Sequence, residues 1–308
     1  MTALTRRGLL LGVGAALGVS LAGCAAPGAP RVTMACGESG GNYLLFGTLL
    51  RDALLQRNAH LELRQTNGSV ENLELLANGD VELAITQGDS VAADPSGFVA
   101  IGRVYQNYLQ CVTRADSPFH TLGDLAGQMI SAGAPRSGAA ATTRRVLSAS
   151  GLGPGPDAPV VTERTLGDAI DALGDGGLAA FFWSGGIPTP QIDRLSARVP
   201  VRLLDLTPTL PALRADLPGV YIASSVPTGV YGSGAPTGTV GLPNILVARP
   251  ELPDDVVGIL VDTLVDRASD LIPPGSAGIQ YLTAANLIDT GGVPLHPAAS
   301  QRYRERYG

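Results

Sequence analysis

The chain has 308 residues, 45% of them hydrophobic and 16% charged, with a net charge of −6; this is a globular composition and excludes a disordered one. All 21 basic residues are arginine, which excludes a P-loop lysine and lysine Schiff-base chemistry. The one basic cluster, apart from the leader, is Arg302, Arg304 and Arg306 near the C-terminus, so no nucleic-acid partner is expected.

Residues 1–23 read as an export signal. Arg6-Arg7 opens a twin-arginine-like segment, and Leu9–Ala22 is its apolar core. That run is shorter than the roughly 20 residues a membrane-crossing helix needs. It ends in Leu21-Ala22-Gly23-Cys24, which resembles the lipobox of bacterial lipoproteins. The resemblance implies cleavage before Cys24, a lipid on its thiol and anchoring at the outer face of the cytoplasmic membrane. Residues 24–31 are then a tether. The alternative is an ordinary secretory signal with an incidental cysteine. The remaining cysteines, Cys36 and Cys111, fall on predicted strands and are open to either a disulfide or two buried thiols.

Three glycine-rich turns, each between a predicted strand and a predicted helix, organise the rest. The first, Gly37 to Gly41, follows the strand Val32–Cys36 and opens a helix through Asn42 and Tyr43 that runs to Arg57. After the alternating strand His60–Gln65 comes the second, Thr66 to Ser69, with Ser69 as expected N-cap of the helix Val70–Asn78. The next strand, Val81–Thr86, ends at Gln87. Strand and helix in this alternation mean a parallel sheet, with ligands at the carboxyl ends of the strands.

Ile101–Arg114 reads as two strands, the second leading into another lobe. Strand Met129–Ala132 runs into the third turn, Gly133 to Gly138, and then the helix Ala139–Ser150. Helix Leu166–Leu173, strand Ala179–Trp183, a helix begun by Pro188 and Pro190, and strand Val201–Leu206 follow. Pro208–Gly219 is Pro-rich and reads as the connector back to the first lobe; beyond it come a loop region holding Tyr231, strand Asn244–Ala248 and helix Pro253–Leu271. The expected fold is α/β in two lobes, with residues 32–113 and 220–308 in one and 114–219 in the other.

A helix start leaves about four N–H groups without partners and carries about half a positive charge, so each glycine turn suits an anionic or carbonyl-bearing ligand. The first turn also fits a serine nucleophile elbow, Gly37-Glu38-Ser39-Gly40-Gly41. A hydrolase triad would draw on Ser39, an aspartate and His296. The turn's place after the first strand of the mature chain opposes an α/β-hydrolase triad, and the absence of a histidine before Ser39 opposes a chymotrypsin-type one. His60, His120 and His296 show no metal-ligand spacing, and no cofactor is expected.

From about Arg31 onward the chain resembles the TAXI family of TRAP-transporter solute receptors. The likeness rests on Gly37-x-x-Gly40-Gly41-x-Tyr43, Gly68-Ser69-Val70-Glu71-Asn72, Gly79-Asp80 through Gln87 and Asp89, Leu122 to Gly127, Gly133-Ala134-Pro135-x-Ser137-Gly138, Phe181-Phe182 with Gly186-x-Pro188-Thr189, and Leu295-His296-Pro297. It implies the two-lobed periplasmic-binding-protein fold (type II) with the ligand between the lobes, a monomeric receptor outside the cell membrane, no enzyme activity, and a small carboxylate such as glutamate or another organic acid as ligand. The partner it implies is a TRAP permease membrane subunit; a sensor or other channel is the alternative. The resemblance places Tyr43, Ser69, Asn72, Gln87, the 133–138 turn and Tyr231 in the cleft. With the glycine turns and their neighbours, the expected ligand set is Gly40, Gly41, Asn42, Tyr43, Gly68, Ser69, Asn72, Gln87, Arg136, Ser137, Gly138, Trp183, Pro188 and Tyr231. Several have a plain structural alternative: Asn72 bracing its helix, Gln87 as a turn residue, Tyr43, Tyr231 and Trp183 as packing, Arg136 as a solvated surface residue. Leu44, Ala139 and Glu38 depart from the family pattern; Glu38 puts a carboxylate where glycine is usual, which would repel a second ligand carboxylate or pair with an ammonium.

Overall fold

The computed structural model describes residues 29–273 and 281–308; the export signal, Cys24 and most of the tether lie outside them. The first half of the chain forms β1 (Arg31–Ala35), α1 (Asn42–Leu55), β2 (His60–Arg64), α2 (Ser69–Asn78), β3 (Leu83–Gln87), the short α3 (Gly88–Ala92), β4 (Val99–Arg114), β5 (Met129–Ser131) and α4 (Gly138–Ala149). The second half forms β6 (Val160–Thr162), α5 (Leu166–Gly174), β7 (Ala180–Gly185), α6 (Pro190–Ser196), β8 (Val201–Leu203), α7 (Leu210–Asp216), β9 (Ile222–Val226), β10 (Thr237–Ala248), α8 (Asp254–Asp266), α9 (Ala284–Leu287) and α10 (Pro297–Tyr307).

All ten strands join one sheet, β2-β1-β3-β10-β4-β7-β5-β6, with β8 added to β4 and β9 to β10. The outer pairs β1–β2, β1–β3, β5–β6 and β5–β7 are parallel, as crossover helices require, while β4 and β10 run antiparallel to their neighbours. β3, β4 and β7 are buried almost throughout; β3 and β7 read as largely apolar runs, as strands covered on both faces should, while β4 carries buried polar residues at its centre.

The two long strands carry the chain between two cores. One core packs Met34, Phe46, Leu50, Ile101, Leu246, Leu260 and Tyr303; the other packs Leu109, Cys111, Ile130, Val146, Phe182, Leu213 and Leu242. The N-terminal part of β10 pairs with β9 from Thr237 to Gly241, and its C-terminal part pairs with β3 from Asn244. The change of partner falls at Pro243, which has no N–H to donate and is tolerated where a ladder is interrupted. Opposite it on β4 stand Gln106 and Asn107.

Two sequence expectations give way here. Ile101–Arg114 is part of one 16-residue strand, not two strands. Its polar centre, Gln106-Asn107, looks like a break only because the sequence does not show that the strand's middle faces a polar cleft. Pro208–Gly219 is no connector: it holds α7, whose Leu210 and Leu213 pack with Val220 and Tyr221 in the second core. The return crossing is β10 itself. Cys36 and Cys111 are free, buried thiols, one in each core; burial pushes Cys36 up to about 12 and Cys111 higher still.

Candidate functional site

Between the two cores lies a cavity of about 40 Å³ walled by all three glycine turns. Gly37, Glu38, Gly41, Asn42 and Tyr43 line it from the first, Asn67, Gly68 and Ser69 from the second, and Ser137, Gly138 and Ala139 from the third. Gln87, Asn107, Trp183 and Ser184 complete the wall. The N-termini of α1, α2 and α4 therefore converge on one point. The first two begin at glycine N-caps, Gly41 and Gly68, with no side-chain cap. Gly68 holds φ 125°, a backbone that side chains rarely adopt, and lies against Ser137. Ser137 caps α4 by accepting the Ala140 N–H at 3.1 Å. The side-chain-uncapped amide groups of α1 and α2, together with the α4 start, direct partial positive charge at the cavity, and no arginine stands in its wall.

The polar side chains of the wall hold one another. Tyr43 Oη donates to Asn244 Oδ1 at 2.8 Å and stands 3.0 Å from Ser69 Oγ, which accepts the Gln87 N–H at 3.0 Å. Burial drives the Tyr43 phenol well above its usual range. Gln87 reaches across the cleft: its Nε2 donates to Ser184 Oγ, and its Oε1 accepts from Thr142 Oγ1 at 3.1 Å. Thr142 Oγ1 also bonds Asp89 Oδ2 at 2.6 Å, and the Tyr221 hydroxyl reaches the same oxygen at 3.2 Å. Burial raises the pKa of Asp89, against the lowering effect of those bonds and of Arg145. At the mouth, Glu38 accepts the Leu166 N–H at 3.3 Å, at the start of α5. Burial and the nearby Asp168 raise its pKa, and the Leu166 bond opposes them.

Five expected ligand residues stand behind the wall and not in it. Asn72 is a brace: its Nδ2 donates to Cys36 O and to Ile85 O (2.7 Å), and its Oδ1 accepts from Thr66 at 2.5 Å. Tyr231 takes the Thr189 N–H at 2.6 Å and donates to Gln110 Oε1 at 2.7 Å, so it supports the Gly186–Thr189 turn. Pro188 belongs to that turn, after a cis peptide bond. Through it Thr189 Oγ1 receives the Trp183 indole N–H at 3.1 Å and so fixes Trp183 beside Gly41. Arg136 is half-exposed and pairs with Glu74 outside the cavity. Gly40 is exposed, with Gln191 against the position a side chain would take. Ser69 is not the α2 cap; Gly68 is.

Asn107 and Ser184 escape a reading by motifs. The signal for Asn107 is a polar pair in the centre of a 16-residue buried strand. The hydrolase alternative has no support: Ser39 is exposed, and His296 spends its ring nitrogens on Ala298 N–H and Pro250 O at the start of α10. Among the described residues no group of His, Cys, Asp and Glu could hold a metal, and no helix is long and apolar enough to cross a membrane.

A model of the NMT1-like family matches residues 34–306. The chain belongs to the NMT1-like family. Known structures resemble this NMT1-like chain at low identity. XAC2383 from Xanthomonas citri bound to ATP is 11% identical, with a TM-score of 0.53 over 90% of this chain and 95% of that one. The same protein bound to chloride gives 0.50 at 11% identity, over 89% and 95%. The periplasmic aliphatic sulphonate binding protein SsuA from Escherichia coli is 18% identical, with 0.48 over 91% and 83%. The NMT1-like chain thus shares the α/β fold of XAC2383, and its cavity lies between the two cores.

Proposed function

We propose that this chain is an extracytoplasmic solute receptor that captures a small carboxylate by closure of two lobes and delivers it to a TRAP-type membrane permease. The observation that carries the reading is the convergence of three helix N-termini on a cavity between the two cores, a wall rich in N–H donors and free of basic side chains. Closure is supported by contacts that join the lobes around that cavity: Gln87 to Ser184 and Thr142, the Glu71 N–H to Arg136 O at 3.1 Å, and Glu38 to Leu166. The hinge is assigned to β4 and β10 where they change partners, beside Gln106 and Pro243. The receptor performs no chemistry. Its lipid anchor is Cys24, from the lipobox-like Leu21–Cys24 run.

A thermal-shift panel of carboxylates, amino acids and uncharged analogues tests the binding half. A ligand at 100 times its Kd adds about 2.7 kcal/mol of stability, a clear rise in melting temperature. A saturable shift with carboxylates supports the reading, and shifts confined to uncharged compounds overturn it. For the anchor, Cys24→Ala should move the protein from the membrane to the soluble fraction; unchanged membrane association would remove the lipoprotein assignment. Transport of the bound acid in cells lacking the permease would remove the TRAP assignment.

A further inference from the structure

The cavity wall has one side chain whose hydrogen bonding is incomplete. Asn107 sits in the middle of β4, is 2% exposed, and lines the cavity. Its Nδ2 faces the Ser184 carbonyl at 3.5 Å, which fixes the amide's orientation, because the reverse would set two oxygens together. Its Oδ1 is then a buried acceptor without a partner. Among the described residues no other side chain of the wall has a buried polar atom in that condition. Tyr43, Ser69, Gln87 and Ser184 are bonded to one another, to Thr142 and to Asn244. Buried polar atoms in native proteins are almost always paired, so an acceptor left unmet beside a ligand cavity points to a donor on the ligand.

Two further features limit that ligand. The cavity, at about 40 Å³, is small. A longer acid would part Gln87 from Ser184 and Glu38 from Leu166, the contacts that close the lobes. Glu38 itself lines the cavity at its mouth, where it meets a second, outer groove bounded by Gln65, Glu71, Thr165 and Gln191. Its carboxylate opposes another carboxylate there.

We propose that Asn107 determines specificity, accepting a hydroxyl or ammonium donor on the carbon next to the carboxylate of a small monocarboxylate, while Glu38 rejects acids with a second carboxylate. The inference rests on the carboxylate reading above and narrows it to amino or hydroxy acids of about two or three carbons. The helix N-termini take the carboxylate, and Asn107 Oδ1, which has no other partner, takes the donor.

Calorimetric titration of the purified protein tests this with matched pairs: glycolate and glycine against acetate, L-lactate and L-alanine against propionate, and succinate and L-glutamate as two-carboxylate acids. The donor-bearing acids should bind at least about tenfold tighter than their partners, because a site built to bond a donor rejects the analogue that lacks it. Asn107→Leu should bring that ratio close to one. Asn107→Asp keeps the acceptor, adds charge, and should shift preference from hydroxy acids to amino acids by about tenfold or more. Glu38→Gln should tighten succinate and L-glutamate relative to glycolate. The wild-type ratios and the Asn107→Asp variant decide the matter whether or not Asn107→Leu folds. Equal binding of acetate and glycolate overturns the inference and leaves the carboxylate receptor standing. Tighter binding of L-glutamate than of any small acid overturns it too. Binding of no carboxylate at all overturns both.

Discussion

Adding one methyl group at Gly138 should separate binding from folding. A β-carbon there would stand 2.5 Å from Ser69 Oγ and 2.8 Å from Gln87 Cδ and Oε1. Neither neighbour can retreat cheaply. Ser69 is held by Tyr43 and by the Gln87 N–H, and Gln87 is held at both ends of its amide by Ser184 and Thr142. Overpacking of this kind costs about 1–3 kcal/mol. Gly138 belongs to the third turn, whereas Ser69 and Gln87 belong to the opposite lobe, so the clash exists only when the lobes are shut. Gly138→Ala should therefore weaken ligand affinity by about 5- to 150-fold. The ligand-free protein, free to stay open, should melt within about 1 °C of wild type, an effect of under about 1 kcal/mol. Titration calorimetry gives the first number, a thermal melt the second, and small-angle scattering with saturating ligand shows whether the variant stays expanded. Unchanged affinity, or a large loss of stability without ligand, would refute a closure that brings these three residues together.

Asn72→Ala should act on the fold and not on the ligand, since it removes buried bonds to Cys36 O, Ile85 O and the Thr66 hydroxyl, of which only Cys36 O and Thr66 keep a bond to each other, at 3.1 Å. The expected loss is about 1–3 kcal/mol or more by urea unfolding; reduced affinity at unchanged stability would return Asn72 to the ligand set. Burial raises the pKa of Asp89, so its contribution to stability is full below the ordinary aspartate range and is lost as pH rises through the raised value. Asp89→Asn should remove that loss, so the variant gains on wild type between acid and neutral pH in denaturant midpoints; a constant difference across that range contradicts the assignment. Arg302 and Arg306 hold the Asp262 carboxyl below its usual range, so its contribution is present above the ordinary aspartate pKa and is lost as pH falls through the lowered one. Asp262→Asn should cost about 1–3 kcal/mol at neutral pH, the worth of its charged hydrogen bonds to α10. Equal stability of the two proteins at pH 7 would dismiss the staple.

What the sequence made legible follows from which residues punctuate it. Glycine between an apolar strand and an amphipathic helix marks a turn whatever the tertiary setting, so the three turns and their helices were readable, and the structure brings all three to one cavity. Residues beside the turns were harder. Asn72, Tyr231 and Pro188 lie within the same motifs as the wall, but their side chains face inward to brace it, and spacing does not say which way an asparagine or tyrosine points. Arg136 shows the same limit, half-exposed and paired with Glu74 although it lies next to Ser137. Asn107 was hidden for another reason. A polar pair in an apolar run reads as a break in the strand until β10 and β7 are laid on either side of it. The basic C-terminal tail is likewise no charge cluster for a partner, because Arg302 and Arg306 are spent on Asp262 and Asp266 of α8.

The double crossing of the chain also sets an order for the birth of the molecule. The second core closes among residues between Leu109 and Leu242, whereas the first draws on Val32 at one end and Tyr303 at the other. Tyr303 fastens that end by donating to Ile101 O at 3.0 Å. A core assembled from both ends of a chain carries the larger cost of loop closure and waits for the last helix. The half made in the middle should therefore gain its shape first and present β4 as a ready edge for the ends to meet on. Pulsed hydrogen exchange during refolding would show β7 protected before β1, and the reverse order would contradict it. The chain would thus commit its two lobes to structure at different moments, with the earlier one serving as template for the later.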